Sequence, residues 1–238
     1  MAKSSSRLVW FRRDLRVDDH AALYHALREG GPVWCTFVFD TEILDELLRE
    51  GWRADRRVEF IHAAIVELDA ALRDLGGGLI VRHGRARDLV PALARELGVD
   101  TVVCNRDYEP VAQQRDAEVG AELARHGIGF EQYKDQVIFE CDEVLTLAHK
   151  PFSVFTPYRN AWLKKLTPYQ LQAYPVRRYA AAFAVQPAAA IPSPADMGFE
   201  PTNLATLKLP TGASGAETLF DEFLDRIDRY KQTRDFPA

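Results

Sequence analysis

Cysteine is scarce: a chain of 238 residues carries three, Cys35, Cys104 and Cys141. Their odd number and wide spacing argue against a disulfide framework, and without a CxxC pair there is no cysteine zinc site. Cys35 and Cys104 fall inside apolar runs, where free cysteine behaves as a small core hydrophobe. The six histidines lack metal-ligand spacing. The opening MAKSSSR has none of the apolar stretch of a signal peptide, and no apolar run approaches a membrane span. A cytoplasmic protein without a membrane partner is the simplest expectation. No GxGxxG follows the first apolar run, and no Walker A lysine motif, GxSxG or HExxH occurs. A basic excess is missing too. The formal net charge is −5, so binding nucleic acid through the whole surface has no support, although a local basic patch is compatible with it.

Short apolar runs are present in a regular series: LVWF (8–11), VWCTFVF (33–39), GLIVRH (78–83), TVVCN (101–105) and IGFEQY (128–133). Nearly continuous runs rich in Val, Ile and aromatics are the pattern of strands buried on both faces. Helical patterns lie between them. In the clearest, Val58, Ile61, Ile65, Leu68, Leu72 and Leu75 recur at steps of three and four, which sets all six on one face. Burying each such side chain contributes roughly 1.5–3 kcal/mol before entropy costs. Gly76, Gly77 and Gly78 then end the helix. Weaker patterns cover about 87–97 and 113–126. Strands alternating with helices predict an α/β fold around an open, doubly wound parallel sheet, with ligands beyond the carboxyl ends of the strands.

Past residue 135 the alternation stops. TPYRNAWLKKL (156–166) reads as a short helix with Thr156 as N-cap, and the signal recurs at Thr167 and Pro168. Residues 175–213 are rich in Pro and Ala and read as a long connector, more tether than domain, although Phe183, Phe199 and Leu209 are apolar enough to lie against something. Ser214 and Glu217 have capping-box spacing, and Leu219, Phe220, Phe223, Leu224, Ile227 and Tyr230 form an apolar stripe. That stripe needs a partner. The expected division is an α/β domain over 1–135, a connector over 136–213, and at 214–238 the first helix of a helical domain that continues in a longer protein.

Two polar clusters stand at strand carboxyl ends. One is Arg12, Arg13, Asp14 and Arg16; the other is NRDYEP, Asn105 to Pro110. Facing one crevice, they suit a planar heterocycle edged with donors and acceptors. The same spacing also suits an ion-pair network that pins loops to the sheet.

The wording of these stretches adds a resemblance. LVWFRRDLRVDDHAAL (8–23), FVFDTEIL (37–44), NRDYEP (105–110), KPFSVFTPYRNAW (150–162) and YKQTRDFPA (230–238) resemble, in the same order, segments of DNA photolyases and cryptochromes. The resemblance implies a Rossmann-like antenna domain, a connector, and a helical domain that binds FAD. It implies an antenna chromophore in the crevice: a deazaflavin, a flavin such as FMN, or a methenyltetrahydrofolate. Positions that match the pocket of flavin-type antennas are Arg13, Phe37, Phe39, Asp40, Arg57, Asp107 and Glu109. Where folate-binding relatives carry an Asn–Glu pair, this chain has Val111 and Ala112. Tyr230 matches a position that contacts FAD, and Arg234 one near the DNA backbone, both in the intact protein. The implied activity is light-driven repair of ultraviolet-induced pyrimidine dimers in damaged DNA by an electron from reduced FAD, with no catalytic residue in this portion and none expected to bind a metal. The portion alone is expected to be inactive. A cryptochrome photoreceptor and a free-standing nucleotide-binding α/β domain are the alternatives.

Overall fold

The computed structural model describes residues 5–235; the first four residues, and the Phe236, Pro237 and Ala238 that close the YKQTRDFPA stretch, lie outside the described residues. Five strands form one sheet: β1 (Arg7–Phe11), β2 (Val33–Asp40), β3 (Leu79–Gly84), β4 (Thr101–Asn105) and β5 (Gly129–Tyr133). All neighbours are parallel, and the order is β3-β2-β1-β4-β5. This is the expected open, doubly wound sheet. The near-continuous apolar runs have a direct cause. Val9 and Phe11 enter one core, and Leu8 and Trp10 enter the other, so every residue of the strand meets a packed layer.

The first core lies under α1 (Ala21–Arg28), α2 (Thr41–Arg49) and α3 (Arg56–Asp74). The second lies under α4 (Ala86–Leu97) and α5 (Pro110–Arg125). Cys35 and Cys104 are buried, one in each core, and Cys141 is exposed. Burial pushes the Cys35 thiol up and the Cys104 thiol up to about 12, which keeps both unreactive. Among the described residues no helix is long and apolar enough to cross a membrane.

In α3 the predicted stripe forms, with one exchange. Val58, Ile65, Leu68 and Leu72 are buried and Leu75 packs beside them, but Ile61 is exposed. The stripe midpoint between Val58 and Ile65 falls between positions 61 and 62, and it is His62 that turns toward the sheet, stacked over Phe39 at 6.4 Å. Gly76 ends the helix at φ +91°, with the Gly77 amide donating back to the Leu72 carbonyl.

The connector is no tether. Val176, Phe183, Met197 and Phe199 are buried members of the first core, whereas Leu209 is exposed. Phe183 forms a parallel bridge with Val33, and the Ala184 amide donates to the Val33 carbonyl at 2.9 Å. Gly77 makes room for this: a Cβ there would stand 2.9 Å from the Phe183 ring. The Pro- and Ala-rich composition hid a docked segment, because four well-spaced apolar side chains anchor it without any period.

Two helix starts differ from expectation. α6 (Phe155–Lys165) is preceded by Val154 with no side-chain cap, so Thr156 lies inside it; Pro157 still falls in the first turn, where its missing N–H costs nothing. At Thr167 the expected signal holds, since Thr167 and Gln170 cap each other around a 3₁₀ turn. α7 (Gly212–Leu224) begins before Ser214, whose amide and hydroxyl both bond Glu67 of α3. A tertiary partner thus replaces the capping box. The helix expected to run to 230 is interrupted at Arg226, with φ −127°, before a short α8 (Tyr230–Thr233). Leu219, Phe220, Leu224, Ile227 and Tyr230 are exposed, so no packing holds one long helix together.

Docking of the connector gives a measurable expectation. Phe183→Ala should lower the unfolding free energy by about 3–5 kcal/mol in urea titrations and open residues 176–199 to limited proteolysis. A tether would show neither effect.

Candidate functional site

The site stands where β1 and β4 lie side by side and their following helices leave to opposite faces of the sheet. Crossovers that diverge open a cleft at the strand carboxyl ends. Two groups of polar residues occupy this edge.

Most of the charges after β1 are braces. Arg12 is almost fully buried and forks onto Asp116 of α5, its Nη1 lying 2.5 and 2.6 Å from the two carboxylate oxygens. Its other nitrogen donates to the Asn105 carbonyl, and both Arg12 and Arg115 lie over the Trp10 ring at 5.0 Å. Asp14 accepts from the Arg12 amide at 2.8 Å, from Asn105 Nδ2 at 2.6 Å and from His20 Nε2 at 2.9 Å. Arg16 pairs with Asp135 at 2.9 Å, and Asp18 receives both arms of Arg177. Asp19, at φ +51°, accepts from the Tyr174 amide.

These braces meet at the start of α1. Its first three amides have no partner inside the helix. Asp135 accepts from Ala21, Asn105 from Ala22 and the N-cap His20 from Leu23, at 3.0, 2.9 and 3.1 Å. A backbone amide can only donate, so His20 Nδ1 is an acceptor and the ring proton sits on Nε2, facing Asp14. Burial works against the Asp14 charge, but the attraction and hydrogen bond of His20, the Arg12 amide and the Arg12 guanidinium outweigh it. The carboxyl is held well below its ordinary value of 3.8.

Arg13 alone of that series turns to the segment between β4 and α5. Its Nε lies 3.4 Å from buried Asp107, and its Nη2 lies 2.7 Å from exposed Glu109. The hydrogen bond to Glu109 is the main reason that its pKa is raised. Asp107 also accepts from the Glu109 amide, which ties the β4–α5 turn. Phe37 and Phe39 meet edge to face at 5.0 Å between centroids, and both are buried. With His62 they make an aromatic cluster at the end of β2, its two phenylalanines part of the first core.

Other predicted positions have different partners. Asp40 caps two helices: one carboxylate oxygen accepts from Glu42 of α2 and from Ala86 of α4. Its second oxygen is buried with no hydrogen bond, 3.9 Å from Arg115. Arg57, on the first turn of α3, is exposed and forks onto the N-cap Asp55. Tyr230 and Arg234 are far along the chain; Tyr230 meets Phe223 edge to face, and Arg234 pairs weakly with Asp235. Asp14 and Asn105 belong to the two polar clusters read from the sequence; His20, Asp55, His62 and Asp116 also shape the edge and were not singled out. Lone polar residues inside apolar patterns carry no periodic signal. His62 was masked further by Ile61, which fits the stripe equally well.

A family model described as DNA photolyase matches residues 7–178. A deoxyribodipyrimidine photo-lyase of Halobacterium salinarum is 34% identical over 243 positions, covering 97% of this chain and 49% of the relative. The crystal structure of a class III photolyase from Agrobacterium tumefaciens superposes with a TM-score of 0.72 at 26% identity, over 100% of this chain and 48% of that one. An archaeal photolyase from Sulfolobus tokodaii, solved with two FAD molecules, gives a TM-score of 0.56 at 28% identity, over 68% of this chain and 35% of that one. The chain thus spans about half the length of the curated relatives it matches.

The Asp14 brace predicts a pH dependence. A carboxyl whose folded pKa is depressed adds stability above its unfolded pKa and loses it as the pH falls. Asp14→Asn should cost about 3 kcal/mol at neutral pH in urea denaturation. The gap between wild type and variant should narrow as the pH drops below 3.8.

Proposed function

Because this chain belongs to the DNA photolyase family, we propose that it is the antenna-bearing portion of a deoxyribodipyrimidine photo-lyase, and that the crevice beyond β1, β2 and β4 takes a flavin-type chromophore. The observation that supports the reading is the pairing of Arg13 with Asp107 and Glu109 beyond β1 and β4, with the Phe37, Phe39 and His62 rings at the end of β2. A flat heterocycle with ring N–H, carbonyl and side-chain hydroxyl groups needs an apolar face, acceptors and one donor, and these residues supply that set. The second FAD in the Sulfolobus tokodaii structure supports a flavin in this role. Val111 and Ala112, where folate-binding relatives carry Asn and Glu, weigh against a folate.

A bound antenna would supply light absorption and energy transfer to a reduced FAD, the electron source for splitting the dimer in damaged DNA. In this chain the aromatic cluster of Phe37, Phe39 and His62 would give the group an apolar neighbour. Asp107 and Glu109 would accept hydrogen bonds from it, and Arg13 would donate one while balancing the two carboxylates. Asp40 and Asp55 act one step back, holding the starts of α2, α4 and α3 at the crevice rim. No side chain here acts as acid, base or nucleophile. Tyr230 is the one position of this chain assigned to FAD, and a single exposed tyrosine is no FAD site. Tight FAD binding and repair therefore need more of the relatives' length than this chain spans.

Titration with FMN, a deazaflavin and methenyltetrahydrofolate, followed by fluorescence, tests the reading. A flavin-type chromophore should bind, and Asp107→Ala or Glu109→Ala should weaken it about ten- to a hundredfold, the effect of one charged hydrogen bond. Unchanged binding in both variants would sink the assignment.

A further inference from the structure

A recess of about 530 Å³ opens between the starts of α2 and α4, and none of the positions matched to antenna pockets lines it. That volume suits a small ligand. The charged lining is cationic on balance. Arg49, Arg53 and Arg85 border the recess, against the carboxylates of Glu42 and Asp45. Both oxygens of Glu42 are taken by Arg87, at 2.9 Å each. Arg49 Nε donates to the Asp45 carbonyl at 3.2 Å, which leaves its terminal nitrogens free. Among the described residues neither Arg49 nor Arg53 has a carboxylate in ion-pair range. Arg85 meets only Asp88, in a contact of 2.5 Å that is open to solvent and weak. Three guanidinium groups thus share the recess with one uncommitted carboxylate, that of Asp45.

The backbone adds to this sign. Asp40 holds the starts of α2 and α4 together by accepting from Glu42 and Ala86, and its own charge lies 3.9 Å from Arg115. Helix N-termini carry partial positive charge, and two of them meet here. The Thr41 hydroxyl, on the first turn of α2, has no hydrogen-bond partner among the described residues. The docked connector braces the recess from behind. The Glu200 amide donates to the Arg53 carbonyl at 2.9 Å, and Gly198 lies against Leu48, where a Cβ would stand 3.4 Å from the Leu48 side chain.

We propose that this recess is an anion site for the phosphate group of a small molecule, with Arg49 and Arg53 as its charged donors and Thr41 as a neutral one. The guanidinium fork matches phosphate oxygens, and a cation with no partner gives up no ion pair on binding. The site does not rest on the antenna reading. A chromophore phosphate reaching over from the crevice and a separate phosphorylated metabolite share this chemistry, and the experiment tells them apart.

The test is calorimetric titration of the 238-residue chain with pyrophosphate at low salt, beside FMN and riboflavin, which differ by one phosphate. A phosphate should bind at one site and weaken as salt is raised. An Arg49→Ala, Arg53→Ala double variant should lose about tenfold or more in affinity, the effect of a charged hydrogen bond. A control of equal charge, Arg95→Ala with Arg159→Ala, should bind like wild type. All four side chains are on exposed residues, and circular dichroism should show both variants folded. If FMN binds about tenfold tighter than riboflavin and the double variant erases the difference, the phosphate belongs to the chromophore. If pyrophosphate binds while FMN and riboflavin behave alike, it belongs to a separate metabolite. No pyrophosphate binding together with equal FMN and riboflavin affinities would overturn the site. So would equal losses in the double variant and the control, or an FMN preference that the double variant keeps. Riboflavin reads the crevice without any phosphate, so a failure here leaves the antenna reading standing, and the reverse.

Discussion

The start of α1 is the constraint on which the site depends. Three amides there are satisfied by side chains from three separate places: His20 just before the helix, Asn105 at the end of β4, and Asp135 beyond β5. Asp14 couples two of them by accepting from His20 and Asn105 together. The helix therefore cannot shift without unpairing buried groups on two strands, and each such loss is costly in a low-dielectric interior. Arg13 inherits its direction from this lock. With Arg12 fixed on Asp116 and Asp14 fixed on His20, the residue between them is left to point toward Asp107 and Glu109.

That arrangement resolves the two readings of the charged opening stretch. The ion-pair network holds for most members of the run, and the ligand crevice is the role proposed for Arg13. Five of the six charges pin loops, and one faces the proposed ligand. Sequence spacing located the cluster at the strand end, because apolar runs and glycine caps mark strands and helices well. It could not separate the members, since the choice is set by Asn105, Asp116 and Asp135, which lie about 90 to 120 positions away in the chain. Asp40 shows the same limit. Its match to an antenna position concealed a local duty, the capping of two helices.

The helical half of the chain shows where periodicity misleads. A capping-box spacing at Ser214 is real in the sequence, but Glu67 takes the Ser214 amide and hydroxyl. The stripe from Leu219 to Tyr230 is equally real, and it faces outward. Local pattern records which face needs cover; what supplies that cover is a tertiary fact. The connector is the converse case. It has no pattern, yet its few apolar side chains reach the core because Gly77 leaves a ring-sized gap for Phe183.

The bridge from Phe183 to Val33 also sets an order of events. β3 pairs with β2 only from Cys35 onward, so the entry of β2 is open on that side until the connector arrives. During synthesis the five strands are all made by Tyr133, but the first core is short of four buried side chains until Phe199 has emerged. A nascent chain stalled anywhere in those intervening residues would hold a sheet with one hydrophobic layer partly uncovered, the condition that invites chaperone capture or strand-edge association. The connector thus closes the α/β unit last, in an order set by its place in the chain rather than by any ligand.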